Sequence, residues 1–160
     1  MGNVLSAKKN NAAYQGNRIL KLVDDMTLFD DDLMTLVLNQ NVEAVELLLR
    51  IILGRPVHVK EHHIQVEFRN PVVDGRNITL DVVAVEEDGS EIDIEVQGNA
   101  AGANVKRARF RSAAIDYRML KRNEDFVQLR DSYVIFIYKY DKFGKGFPIY
   151  IASPAVICQV

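Results

Sequence analysis

Two short runs rich in β-branched residues, Asn77–Val85 and Glu91–Gln97, are joined by Glu86-Glu87-Asp88-Gly89-Ser90, and no other stretch constrains the fold as tightly. A three-residue loop, Glu87-Asp88-Gly89 with Gly89 left-handed, is a common hairpin solution. It sets Asp81 opposite Glu95, Leu80 opposite Val96, Val82 opposite Ile94 and Ala84 opposite Ile92. One face of the hairpin is then wholly apolar. The other gathers Asp81, Glu95, Asp93 and Glu91 beside Val83 and Val85. Side chains alternate along a strand, so a one-residue slip would mix the two sets, and the pattern selects this register.

The register has a chemical consequence. Directly opposed residues on one face have Cβ atoms about 4.5–5.5 Å apart. Two carboxylates that close repel unless a cation lies between them or one takes a proton. Mg²⁺ is held through one or two carboxylates plus waters and substrate phosphate, which suits Asp81 and Glu95. Gln97 lies on the same face, about 6–7 Å further along the strand, where it could hydrogen-bond a water or a phosphate oxygen. The plain alternative is the solvated face of an amphipathic hairpin, which alternates in the same way.

The rest of the chain frames this hairpin. Asp30 to Leu53 has helical spacing, with Leu33, Leu36 and Val37 in one part and Val45, Leu48, Leu49 and Ile52 in the other. Asn39-Gln40-Asn41 divides it into two helices, with Asn41 as N-cap of the second and Gly54 and Pro56 as stop signals. A strand is expected over roughly Ile64–Phe68. Gly98 to Gly102 reads as a flexible connector. Asn104 to Arg122 is helical, with Phe110, Ala114, Tyr117 and Leu120 on one side. A last strand, Tyr133–Tyr138, has little polar alternation and is expected to be buried on both faces. Phe143-Gly-Lys-Gly146 reads as a turn. Residues 1–20 form a polar N-terminal arm, and residues 21–160 a single domain. The order, αβββαβ, gives an α/β fold with a mixed β-sheet flanked by helices.

Composition removes several classes. With 160 residues, 48% hydrophobic, the chain supports one core and is not disordered. The lone Cys158 excludes an internal disulfide framework and a Cys-rich zinc site, and points to a reducing cytoplasm. No run reaches about 18 apolar residues, so no membrane span is expected. His62 and His63 are adjacent and point to opposite faces of a strand, so they cannot chelate one ion together. Ser90 and Ser112 have no arranged histidine and acid. The net charge of −2 is uninformative, but its distribution is not. Arg107, Arg111, Arg118 and Arg122 fall within about 60° on a wheel of about 3.6 residues per turn. Such a stripe suits contacts to DNA phosphates; a solvated helix face is the alternative.

The strand pair Leu80-Asp81-Val82…Ile94-Glu95-Val96-Gln97 resembles the core of PD-(D/E)xK nucleases, whose core is restriction-endonuclease-like. The wider context is similar to one branch, the recombination-promoting nucleases, also described as PD-(D/E)xK nuclease family transposases. Asp31-Asp32-Leu-Met34, Leu48–Gly54, Lys106–Phe110 and Asp131–Ile137 fit that branch in order and spacing. The resemblance implies a metal-dependent DNA endonuclease that hydrolyses phosphodiester bonds with Mg²⁺ or Mn²⁺. Asp81 and Glu95 would be the metal ligands, and Gln97 would stand where most of the superfamily has lysine. Asp32 would complete the acidic set, with carboxylate capping of the helix start as the alternative for the Asp31–Asp32 cluster. Neutral glutamine can orient but cannot neutralise charge, so a slow or conditional nuclease is expected. The competing reading is a catalytically inactive nuclease-fold module that binds DNA or regulates; a second is an interaction domain whose arginines meet an acidic partner. Double-strand cutting would call for a homodimer. Beside this branch the chain is expected to lack a C-terminal extension.

Overall fold

The computed structural model describes residues 21, 24–27, 29–39, 41–98 and 104–152. The N-terminal arm, residues 99–103 of the connector, and Cys158 lie outside the described residues.

Helices α1 (Asp31–Leu38) and α2 (Val42–Leu53) precede the sheet. They are divided where the asparagines predict. Asn39 is extended (φ −69°, ψ 124°) and so ends α1. The Asn41 side chain accepts a hydrogen bond from the Ala44 N–H at 3.0 Å, satisfying one of the amides that a helix start leaves unpaired. Gly54 closes α2 in the left-handed region at φ 66°, which a β-carbon disfavours.

Strands β1 (Val59–Phe68), β2 (Ile78–Glu86) and β3 (Glu91–Gln97) follow, then α3 (Val105–Met119), a 3₁₀ turn at Phe126–Gln128, and β4 (Ser132–Tyr138). They form one sheet in the order β1-β2-β3-β4, antiparallel except that β4 runs parallel to β3. This is an α/β fold with a four-stranded mixed sheet flanked by helices. Among the described residues no helix is long and apolar enough to cross a membrane.

The β2–β3 hairpin has the register that alternation selects, with Val82, Val83, Ala84 and Val85 opposite Ile94, Asp93, Ile92 and Glu91. Gly89 turns the chain at φ 87° and donates to the Glu86 carbonyl at 3.0 Å. The ladder ends at Val82–Ile94, so the expected continuations Asp81–Glu95 and Leu80–Val96 are not ladder pairs.

The sheet carries a core on each face. On one, Met34 and Leu38 of α1 and Val45 and Leu49 of α2 pack over Val59, Val82, Ala84, Ile92, Ile94 and Val96. On the other, Ile115 of α3 packs with Phe68, Leu80 and Val83. Each such side chain contributes about 1.5–3 kcal/mol on burial. The paired residues Ile64 and Val82 belong to the first core, whereas the next pair, Val66 and Leu80, belongs to the second. The β1–β2 ribbon therefore switches faces between these pairs, at Gln65 and Asp81. Gln65 there has φ 54°, a backbone that costs an L-residue about 1–2 kcal/mol.

Four expectations are corrected. β1 begins at Val59, not near Ile64: the Val59 N–H donates to Glu46 Oε1 at 2.8 Å, and the polar run Lys60–His63 hides this first half of the strand from pattern reading. β4 is not buried on both faces. Tyr133, Ile135 and Ile137 do pack towards one core and Val134 towards the other, but the strand is a sheet edge and all seven residues are half-exposed. α3 does not bury the Phe110–Tyr117 stripe; Tyr117 is 78% exposed, and the buried residues are Arg111 and Ile115. It also stops before Arg122, because Leu120 is extended and Asn123 turns left-handed at φ 72°. The Phe143–Gly146 segment is a turn, as expected, held by Asp141 carboxylate bonds to the amides of Phe143, Gly144 and Gly146.

Candidate active site

Glu95 lies near the end of β3, a strand with a neighbour on either side, and its carboxylate is fully buried beneath α3. Oε1 accepts from the Asp81 main-chain N–H at 3.1 Å and is ion-paired with Arg111 Nη1. Oε2 meets Arg107 Nη2 at 3.3 Å. Asp93, two residues back and therefore on the same face, is also fully buried and accepts from Arg111 Nη1 at 3.1 Å through Oδ2. Arg111 Nη2 donates to the Thr79 carbonyl at 2.8 Å. Among the described residues two buried side-chain atoms lack a hydrogen-bond partner, Asp93 Oδ1 and Arg111 Nε.

The electrostatics are set by burial. Desolvation pushes the Glu95 carboxyl up to about 8; Asp93 and Asp81 add to the push, and Arg111 opposes it. Desolvation likewise pushes Asp93 up to about 6, again opposed by Arg111. Burial thus favours the protonated form of the cluster, and the arginines oppose it.

Asp81 is half-buried at the point where the ribbon switches faces, close enough to raise both Asp93 and Glu95. Gln97 is half-buried at the last position of β3, paired with Tyr138. Asp32 is in the first turn of α1, and its side chain lies outside the described residues. The turn before α1 packs on the end of β3, since a Cβ on Gly98 would sit 3.2 Å from the Phe29 carbonyl. That packing brings the Asp30–Asp32 segment towards the Gln97 end. Asp30 is the N-cap residue of α1, but its carboxylate turns back to the Thr27 amide at 2.7 Å instead of capping the helix.

Half of the arginine stripe faces the sheet: Arg107 and Arg111 meet its carboxylates, whereas Arg118 and Arg122 are exposed. Arg111 is 3% exposed and committed to Asp93 and Glu95, so its expected contact with DNA is corrected. Arg107 is 35% exposed, Arg118 stacks 3.9 Å over the Phe68 ring, and Arg122 lies beyond the helix on the surface. Sequence reasoning missed the Asp93–Arg111 pair. The signal was Ile115, which falls on the same stripe as Arg107, Arg111 and Arg118 and marks it as the inward side. His62 and His63 do part company: His62 Nε2 meets the Leu38 carbonyl at 3.0 Å, and His63 Nε2 lies 3.8 Å from Glu61.

Among the described residues no group of three or more His, Cys, Asp and Glu side chains is placed to hold one ion. A metal here would rest on Asp81 and Glu95, the one or two carboxylates Mg²⁺ ordinarily takes from protein. The residues fit such an ion: the donors are hard oxygens, and Asp93 Oδ1 is a buried carboxylate oxygen left without a partner. No family model, no curated protein and no solved structure matches the chain.

Proposed function

We propose that this chain is a metal-dependent DNA endonuclease that hydrolyses phosphodiester bonds, akin to the recombination-promoting nucleases. Asp81 and Glu95 hold Mg²⁺ or Mn²⁺, Gln97 orients a water or a phosphate oxygen, and Asp32 completes the acidic set. When bound, the ion lowers the pKa of its water and neutralises phosphate charge. The observation that carries the reading is the full burial of Asp93 and Glu95 on one face of β3, with the half-buried Asp81 close enough to push both carboxyls up. Burying two acids on one strand gains nothing in stability over apolar residues there.

The start of α3 supports phosphate binding beside them. Lys106 and Arg107 are in its first turn, no acid is there, and Arg109 follows on the exposed side. Cations at the positive end of a helix oppose its dipole, so folding does not ask for them, whereas an approaching phosphate does. DNA contact then rests on Lys106, Arg107 and Arg109, with Arg118 and Arg122 further along.

One observation favours the second reading, an inactive DNA-binding or regulatory module: Arg107 and Arg111 already neutralise Glu95 without a metal. A supercoiled-plasmid assay separates the two. The parent, Asp81→Ala and Glu95→Gln proteins are incubated with Mg²⁺, with Mn²⁺ and with EDTA. Metal-dependent nicking lost in both variants supports the nuclease. No cleavage with either metal, while salt-sensitive DNA binding persists, moves the assignment to the inactive module.

A further inference from the structure

Among the described residues three arginines are bound to buried carboxylates, and they are not alike. Arg55 grips Glu86 with two bonds, at 2.8 Å and 2.6 Å, and ties the end of α2 to the end of β2. Arg111 is buried and reaches Asp93, Glu95 and the Thr79 carbonyl together. Arg107 reaches Glu95 through Nη2 at 3.3 Å and is 35% exposed, with the Phe136 ring 5.8 Å from its guanidinium carbon. It also stands in the first turn of α3, where a cation opposes the helix dipole. Of the three, Arg107 makes the longest contact and is held at the least favourable helix position.

The two oxygens of Glu95 differ accordingly. Oε1 is enclosed by the Asp81 N–H and the buried Arg111. Oε2 is met from the half-exposed side by Arg107. A guanidinium and a divalent ion on Oε2 would repel each other across a few ångströms, so electrostatics forces a choice.

We infer that Arg107 is a displaceable counter-cation: it holds Glu95 Oε2 in the metal-free protein and surrenders that oxygen to a divalent ion, while Arg111 keeps Oε1 in position. Arg107's role follows from the metal reading of Glu95 proposed above. The released guanidinium keeps a neighbour in the Phe136 ring, which already lies 5.8 Å from its guanidinium carbon. The carboxylate itself need not move, because Arg111 and the Asp81 amide still hold it.

The test is Mn²⁺ binding measured by isothermal titration calorimetry, with no DNA present, on the parent, Arg107→Gln, Arg107→Lys and Glu95→Gln proteins. Thermal melts check that each is folded, which is expected for changes at the half-exposed Arg107. Half-exposed ion pairs are worth up to about 1 kcal/mol, so Arg107→Gln should bind Mn²⁺ about threefold to fivefold more tightly than the parent. Arg107→Lys, which keeps the competing charge, should stay within about twofold of the parent. A merely structural arginine would give weaker or unchanged binding on removal. Mn²⁺ affinity in Arg107→Gln equal to or below that of the parent overturns the inference. If Glu95→Gln abolishes binding in that same series, the metal site itself still stands. Absence of Mn²⁺ binding in every folded protein overturns both Arg107's role and the metal reading.

Discussion

Replacing Arg111 with methionine keeps an unbranched apolar stem, removes the charged guanidinium and isolates the energetics of the buried cluster. Arg111 is 3% exposed and reaches Asp93, Glu95 and the Thr79 carbonyl. Its loss leaves two fully buried carboxylates with Arg107 as the nearest cation described. Removing one partner of a buried pair costs about 3–5 kcal/mol, because a desolvated charge stays behind. A domain holds about 5–15 kcal/mol in total, so Arg111→Met should fold with a narrow margin. At about 2–4 °C per kcal/mol for a chain of this size, its melting temperature should fall by about 6–20 °C. The loss should also depend on pH. In the parent, Glu95 is raised from 4.5 to about 8 and Asp93 from 3.8 to about 6. Over that window the folded protein binds more protons than the unfolded chain. The stability these groups supply is complete below 3.8 and 4.5 and is lost as pH rises through about 6 and then about 8. Without Arg111 both carboxyls rise further, and protonation relieves the buried charge. Urea unfolding followed by circular dichroism should therefore show the largest deficit near pH 9 and the smallest near pH 5. A deficit below about 1 kcal/mol near pH 9, or equal deficits at the two pH values, would refute this account of the cluster.

Three further outcomes are expected. Mn²⁺ affinity of the parent should rise with pH and level off above about 8, because Glu95 must lose its proton to solvent before its carboxylate can bind the ion; a flat calorimetric profile contradicts this. Asn41→Ala should cost about 1 kcal/mol in urea unfolding, since the Ala44 amide loses its acceptor, and no measurable loss would deny the cap. Gln65→Val should destabilise by about 1–2 kcal/mol although valine favours strands, because φ 54° is hostile to a β-branched residue; a gain in stability would refute the left-handed backbone there.

Much of the fold is legible where local chemistry decides it. The hairpin register follows from alternation on both strands and a glycine at the one left-handed loop position. The α1–α2 break follows from Asn39 and Asn41. Legibility fails where a tertiary partner decides. Nothing in Asn104–Arg122 taken alone says which side of α3 is covered, since the exposed stripe holds Phe110 and Tyr117 and the covered one holds Arg107 and Arg111. Reading aromatics inward and arginines outward is the ordinary rule. It is reversed here because the sheet face under α3 carries Asp93 and Glu95, and buried carboxylates need cations more than apolar cover. The same hairpin register that predicts the carboxylates predicts the charge of the helix face that must meet them. The β4 edge was illegible for a related reason: an apolar run records two packed faces but says nothing about whether both edges are paired.

The site depends on a departure from regular strand geometry. In an undisturbed ladder Asp81 would face Glu95 as a ladder partner, two carboxylates side by side. Instead the ladder stops one residue short, the β1–β2 ribbon switches faces at Gln65 and Asp81, and the Asp81 amide turns to Glu95 Oε1. The backbone thus supplies the hydrogen bond that orients the carboxylate, and the repulsion between Asp81 and Glu95 is met in part by an N–H dipole. Arg111 completes the hold on that same oxygen. What is left over is Oε2, Arg107 and the positive end of α3, the part of the cluster that reaches towards solvent. A strained residue persists only where its surroundings over-determine it, and such strain gathers at functional sites. Gln65 at φ 54° marks where the ribbon switches faces, and the full burial of Asp93 and Glu95 separates this cluster from the merely solvated face that alternation alone would equally well describe.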